Sequence, residues 1–260
     1  MKNKTYLFLD IGNTACDFII TDFSSIRKTQ KISVSDKKEL LEYLTETIYS
    51  YPEIEVYIAC VNKEIGEFIK QKLLSSKITN YFLSAKEMKD FVIKENYQIN
   101  NIDYLGADLF CDLVSFNNLQ GLIIIDLGTA TKILVLDQEN KFLGGQIIPG
   151  LFSFPKILSQ DTSLLGENPL TENPPLVSLI TREAISSGAI NGQAAMISKM
   201  IEIIKHEYSM EKATILLTGG NSKFIRQQLL SITADTILYD ENLVLKGLAR
   251  AFGFKNFNNL

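Results

Sequence analysis

Two aspartates in this chain end apolar runs, and each is followed two residues later by glycine and then by hydroxyl or amide residues. They are Asp10 in TYLFLDIGNT and Asp126 in GLIIIDLGTAT. Each apolar run, rich in β-branched residues, reads as a buried strand. Gly12 and Gly128 permit a tight turn and let another group approach the backbone. Asn13, Thr14, Thr129 and Thr131 then offer amide N–H groups and side-chain donors, which suit phosphate oxygens. An aspartate at such a turn would repel a bare phosphate. It makes sense beside a hard cation such as Mg²⁺, which takes oxygen ligands. One copy alone is also what an ordinary strand ending in a turn looks like. Two copies at matching places point to two half-molecules that share a ligand carrying phosphates and a metal.

A third acid, Asp108 in YLGADLFCDLVSF, lies near the start of a helical pattern over 104–116. It could serve as a general base, or it could be a first-turn acid that interacts with the helix dipole. The single histidine, His206, sits among charged neighbours in IEIIKHEY and reads as a surface residue. With no other histidine, Ser-His-Asp, Cys-His and His-based zinc chemistry are excluded. Cys16, Cys60 and Cys111 are widely spaced in apolar segments with no CxxC, as expected of buried free thiols in a reducing compartment.

The elements that must position these residues repeat. In the first half TYLFLD, ACDFIITDF and IRKTQKISV read as three strands in hairpin fashion. A helix over 36–49 follows the cap-like Ser35, with Leu40, Leu41, Tyr43 and Leu44 on one face. IEVYIACV, GEFIKQKLL, ITNYFLS and AKEMKDFVI continue as strand, helix, strand and helix. The second half restarts with GLIIIDLG, TKILVLD and KFLGGQIIPG, the last two joined by a turn at 138–140. A long loop is expected over 159–175 and a long helix over 181–206. Gly188 and Gly192 make one flat face of that helix, where close packing is expected. ATILLTGG, SKFIRQQLL, TILYD and ENLVLKGLARAFGF close the chain. The order predicts a duplicated α/β unit with mixed sheets, divided into 1–117 and 118–260.

The chain has 260 residues and a net charge of −4, with no long basic run, which disfavours nucleic-acid binding. The N-terminus does not read as a signal peptide, because its apolar run is short and interrupted by Asp10. No stretch reaches the roughly 20 apolar residues needed to span a bilayer. A cytoplasmic protein without membrane partners is expected.

Seven blocks in order resemble the type III pantothenate kinases, also called the Bvg accessory factor family, of the acetate-and-sugar-kinase, Hsp70 and actin superfamily. They are DIGNT (10–14), LGAD (105–108), DLGTAT (126–131), GGQIIPG (144–150), REAISSGAING (182–192), LLTGG (216–220) and NLVLKGLARAF (242–252). The resemblance implies a duplicated ribonuclease-H-like, actin-like ATPase fold, with two mixed-sheet halves around a central cleft. It implies ATP-dependent phosphorylation of the primary hydroxyl of pantothenate, the first step of coenzyme A synthesis. It also implies Mg²⁺, a monovalent cation (K⁺ or NH₄⁺) and a homodimer, for which the face Leu105, Leu109, Leu113 and Phe116 is a candidate interface.

By position, the resemblance has Asp10 orient Mg²⁺ and Asp126 help to hold the monovalent cation. Gly12, Asn13, Thr14, Gly128, Thr129 and Thr131 would hold phosphate, and Gly219 and Gly220 would border the adenosine. Gly106, Ala107 and Asp108 would meet the substrate, with Asp108 as general base. The glycines are equally compatible with ordinary turns. The chain departs from the family pattern at Leu109, where arginine is usual, at Lys132, where threonine is usual, and at Leu134, where aspartate is common. The proline usual before LGAD is also missing. Lys132 could replace the lost arginine as an anchor for the substrate anion, or it could point to solvent from a strand edge. Leu109 keeps two alternatives open: a relative that phosphorylates another small hydroxyl substrate, and a non-catalytic nucleotide-binding regulatory protein.

Overall fold

A computed structural model describes residues 4–116, 120–161 and 169–255. The chain divides into two units. The first comprises Met1–Asn117 and Asn242–Leu260, and the second Asn118–Glu241. The last segment does not follow the expected 118–260 unit, because residues 242–260 return to the first unit.

The first unit contains β1 (Tyr6–Ile11), β2 (Ala15–Thr21), β3 (Ile26–Ser33), α1 (Lys37–Ser50), β4 (Glu55–Cys60), α2 (Lys63–Ser75), β5 (Asn80–Phe82), α3 (Ala85–Lys94) and α4 (Ala107–Val114). Its sheet order is β3-β2-β1-β4-β5. The β1–β2 and β2–β3 pairs are antiparallel, whereas β1–β4 and β4–β5 are parallel. The period of two along β1 sends Leu7, Leu9 and Ile11 into one buried cluster with Leu40, Leu44, Ile65 and Ile69 of α1 and α2. Phe8 faces the other way and stacks on Tyr57. Because both faces are covered, β1 reads as a continuous apolar run rather than an alternating one. Asp10 shares the face of Phe8.

The second unit contains β6 (Leu122–Leu127), β7 (Ala130–Leu136), β8 (Phe142–Pro149), α5 (Ser153–Asp161), α6 (Thr181–Glu207), β9 (Thr214–Thr218), α7 (Ser222–Ile232) and β10 (Ile237–Tyr239). Its sheet order, β10-β9-β6-β7-β8, repeats the first sheet strand for strand. Again the β6–β7 and β7–β8 pairs are antiparallel, whereas β6–β9 and β9–β10 are parallel. Ile123, Ile125 and Leu127 pack against Ala189, Ile190, Ile197 and Ile201 of α6 and Ile225 of α7. Asp126 lies on the opposite face.

The closing helix α8 (Leu243–Ala251) packs on α4. Gly247 permits this, because a Cβ there would overlap the Cys111 carbonyl of α4. Arg250 Nη1 donates to the Val114 and Phe116 carbonyls at 2.9 and 2.8 Å, satisfying acceptors at the end of α4. Phe254 then inserts its ring among Tyr6, Phe8, Phe23 and Tyr57, with centroids 4.9–5.5 Å apart.

Several expectations change locally. Asp36, not Ser35, caps α1, accepting from the Glu39 amide at 2.9 Å. The helix expected over 104–116 is a turn of 3₁₀ helix at Ile102–Tyr104 followed by α4. Of its proposed interface residues, Leu113 is fully buried within the chain and Leu105, Leu109 and Phe116 are half-buried. A Cβ at Gly188 or Gly192 would meet nothing within 4 Å, so the expected close packing does not occur among the described residues. Helix α5 takes the first residues of the loop expected over 159–175, and 162–168 lie outside the described residues.

Candidate functional site

In the first unit the turn between β1 and β2 is Gly12-Asn13-Thr14, closed by the Gly12 amide on the Ala15 carbonyl at 3.0 Å. Asn13 and Thr14 are exposed at its tip, and Asp10 is half-buried at its base. The Val61 amide donates to the Ile11 carbonyl at 3.0 Å, which ties the segment after β4 to the end of β1. A Cβ built on Gly106 would lie 3.6 Å from Val61 Cγ1 and 2.5 Å from Asp108 Oδ1. The chain of contacts therefore sets the start of α4 at the carboxyl ends of β1 and β4, where open α/β sheets bind ligands.

Burial and the charge of nearby acids both act on the cysteines of this unit. Burial pushes the fully buried Cys111 thiol well up, and Asp10, Asp112 and Asp108 add to the effect by their charge. Cys16 is pushed up to about 12, first by burial and then by Asp10. Cys60 is raised by burial, with a smaller contribution from Asp10. Asp10 and Asp108, far apart in sequence, thus both act on one sulfur of α4. Asp108 occupies the first turn of α4, half-exposed, with its carboxylate folded back over Gly106. It is an acid in the first turn of a helix, the place expected for an interaction with the helix dipole.

In the second unit the turn is Gly128-Thr129, closed by the Gly128 amide on the Ala130 carbonyl at 3.1 Å. Thr129 is exposed. Asp126 pairs in register with Lys132 on β7 and with Thr218 on β9. The Lys132 ammonium donates to Asp126 Oδ2 at 2.8 Å, with side chains only 17% and 9% exposed. This placement differs from the expectation of a substrate anchor: the charge lies on a carboxylate of its own unit. Gly219 follows β9 with φ +89°, and a Cβ there would fall 2.5 Å from Asp126 Oδ1. Only glycine suits both the backbone angle and that approach. Gly220 is exposed beside it.

Thr131 is placed apart from the phosphate turn. It is fully buried, and its hydroxyl donates to Gln193 Oε1 at 3.1 Å. Gln193 in turn donates to the Pro149 carbonyl at 2.8 Å, so this network ties β7 and β8 to α6. The Thr131 hydroxyl is therefore committed to packing.

Asn221 was not singled out from the sequence. Its backbone amide donates to the Leu127 carbonyl at 2.8 Å, and its side-chain amide to the Gly128 carbonyl at 2.7 Å. It therefore pins both carbonyls of the second turn from the β9–α7 connection. The available signal was an asparagine directly after Gly219-Gly220, a type that reaches backbone groups from turns.

Among the described residues no group of three or more His, Cys, Asp or Glu forms a metal cage. Mg²⁺ bound with a nucleotide does not need one, since it uses one or two carboxylates plus phosphates and water. Asp10 fits that donor set, with Asp17 directly across from it in the β1–β2 register. Asp126 suits a second metal cation less well, because Oδ2 already carries the Lys132 ammonium and a further cation would be repelled by it.

A family model described as type III pantothenate kinase matches residues 6–203. A protein of Thermosipho africanus named type III pantothenate kinase is 32% identical over 250 residues, covering 93% of this chain and 96% of that relative. Among solved structures, one described as a conserved putative Baf family transcriptional activator from Campylobacter jejuni matches with a TM-score of 0.59 at 19% identity. It covers 95% of this chain and 96% of that one. An archaeal actin homolog, Ta0583, matches with a TM-score of 0.50 at 12% identity, over 96% of this chain and all of that one. These likenesses agree with the duplicated mixed sheets of an actin-like ATPase fold.

Proposed function

The chain belongs to the type III pantothenate kinase family, and from that premise we propose how its residues divide the work of moving a phosphoryl group from ATP to pantothenate. Asp108 accepts the proton of the substrate's primary hydroxyl as that oxygen takes the γ-phosphoryl group, giving 4'-phosphopantothenate and ADP. The observation that carries this role is the placement of Asp108 in the first turn of α4, which abuts the segment after β4 that is tied to the end of β1 just beyond Asp10. Asp10 would hold Mg²⁺, which when bound neutralises phosphate charge. In the first unit Gly12, Asn13 and Thr14 offer amides and side-chain donors suited to phosphate oxygens, and within the second unit Gly128 and Thr129 offer the same chemistry. Gly219 and Gly220 border the nucleoside. Phosphoryl transfer depends mainly on positioning and charge stabilisation, so such groups suffice.

Leu109 sets the second reading. It is half-buried beside Asp108, where the family pattern has arginine, and a leucine cannot offer the planar fork that grips a carboxylate. Losing one charge-assisted contact costs about 1.5–3 kcal/mol. Pantothenate would then bind weakly, or another small hydroxyl substrate would bind better.

A coupled assay with ATP and Mg²⁺, with and without pantothenate, tests the activity. Asp108→Asn should lower turnover by about 10²–10⁴-fold while keeping the fold, as expected of a general base. A variant that retains a tenth of wild-type turnover removes Asp108 from that role. Nucleotide binding with no transfer to any hydroxyl substrate would instead favour a regulatory protein.

The homodimer and the cytoplasmic location belong to the same proposal. Support for a dimer comes from exposed apolar side chains at Leu176, Val177, Leu179 and Ile180, next to the open glycine face of α6. Support for the location is that no helix among the described residues is long and apolar enough to cross a membrane.

A further inference from the structure

The two sheets superpose their motif aspartates on equivalent register positions, but the residue opposite each one differs in charge. Asp10 on β1 faces Asp17 on β2, whereas Asp126 on β6 faces Lys132 on β7. Side chains paired in this way across antiparallel strands lie on the same face and interact directly. Asp17 holds Lys31 from the next strand at 2.7 Å, so in the first unit the cation stands one strand farther from the motif aspartate. In the second unit the ammonium reaches the motif aspartate itself, at 2.8 Å and largely out of water.

We propose that Lys132 is a resident cation: its ammonium replaces, on Asp126, the monovalent ion that the family resemblance assigns there. The inference rests on the nucleotide-binding reading of the Gly128-Thr129 turn. Two observations carry it. The first is the direct ion pair at the base of that turn. The second is the register: an ammonium stands directly opposite Asp126, whereas the equivalent position opposite Asp10 carries a carboxylate. An ammonium and a K⁺ ion bear the same charge. The lysine, however, is tethered by its own strand, so the charge is present at every salt concentration and needs no ion from solution. Lys132 is a positioning residue in this scheme: it fixes Asp126 and thereby the turn that follows.

The test compares wild type with Lys132→Met, which keeps chain length and loses the charge. Each is placed in KCl or choline chloride at equal ionic strength, about 0.1 M. Thermal midpoint, calorimetric affinity for a non-hydrolysable ATP analogue, and kinase turnover are read in each salt. Wild type should be indifferent to the exchange, within about twofold in affinity and turnover, with no K⁺-specific stabilisation. Lys132→Met leaves a buried carboxylate without its ion partner. It should lose about tenfold or more in analogue affinity in choline and recover much of it in KCl, with a K⁺-specific rise in midpoint. Lys132→Thr, a shorter side chain, should show the same recovery if the methionine blocks ion entry. K⁺-specific activation or stabilisation of wild type beyond these limits overturns the proposal. So do variants that fold and bind the analogue normally in choline. If no analogue binds in either salt, the kinase reading fails, and the thermal comparison still decides the role of Lys132 because it needs no nucleotide.

Discussion

Asn221→Ala should separate turn positioning from fold stability. The substitution leaves the backbone bond to Leu127 in place and removes one side-chain bond, the 2.7 Å donation to the Gly128 carbonyl. A hydrogen bond of this kind contributes about 1 kcal/mol net. For a chain of this size that lowers the thermal midpoint by roughly 2–4 °C. The functional loss should be larger. Gly128 lies inside the turn proposed to present amides to phosphate, and a displacement of about 1 Å at such a site can cost on the order of 10²-fold. The expected result is a kcat/KM for ATP lower by about 10- to 100-fold, with a modest change in midpoint. Asn221→Asp should be worse than alanine, because an acceptor-only carboxylate would then face the Gly128 carbonyl and the phosphates. Steady-state kinetics with ATP varied, beside a thermal melt of each variant, make the measurement. An alanine variant within threefold of wild-type kcat/KM refutes the idea that Asn221 holds the turn for catalysis. A loss explained entirely by unfolding refutes it as well.

The remaining predictions concern assembly and the thiols. Light scattering at micromolar concentration should give twice the chain mass, and a single-chain mass would remove the proposed dimer. Native protein at pH 8 should react with a thiol reagent far more slowly at Cys16 and Cys111 than denatured protein does, because only the thiolate reacts and burial keeps both groups protonated. Raising a cysteine's pKa in the folded state stabilises the fold below the ordinary value of 9.0, and that stabilisation is lost as pH climbs toward about 12 for Cys16. Urea midpoints should accordingly fall between pH 9 and 11 in wild type and fall less in Cys16→Ala, whereas equal slopes would contradict the cause assigned to the shift.

Much of the scaffold was legible because its signals are local. The apolar runs at 6–11 and 122–127 are strands, and their repeated Asp-x-Gly endings reveal the duplication. What escaped depends on partners distant in sequence. Gly188 and Gly192 were expected to be packed, yet helical spacing says which residues share a face and nothing about what covers it. Thr131 resembled Thr129 by type, but Thr129 lies in the turn whereas Thr131 is already in β7, on the face turned to the core against Gln193. The pairing of Asp126 with Lys132 needed the length of the hairpin turn, which neither apolar pattern nor glycine placement fixes. The final helix has an apolar face that would suit either sheet. Only the fit of Gly247 against Cys111, together with the Arg250 bonds to the end of α4, selects the first unit.

The same register comparison explains why the two motif aspartates are not interchangeable, although their sequences look alike. A position faced by another carboxylate gathers negative charge and suits an ion of charge two that also binds phosphate oxygens. Asp10 faces Asp17, whose charge is offset by Lys31 at 2.7 Å, so in the first unit the ammonium sits on the neighbour of the motif aspartate rather than on the motif aspartate itself. A position faced by an ammonium is already neutral as a pair, and a further cation would meet repulsion from the lysine. Asp126 is in that situation. Duplication supplied two equal turns, and single residues on the neighbouring strands then gave them different charge. The departure at Lys132 therefore bears on the nucleotide side of the chemistry. The departure at Leu109, next to Asp108, bears on the acceptor side. Because the two residues act on different ligands, Lys132→Thr and Leu109→Arg should shift different kinetic constants and combine additively. If Leu109→Arg rescues the ATP defect of Lys132→Thr, the two departures form one compensating pair after all, and the separation argued from the register is wrong.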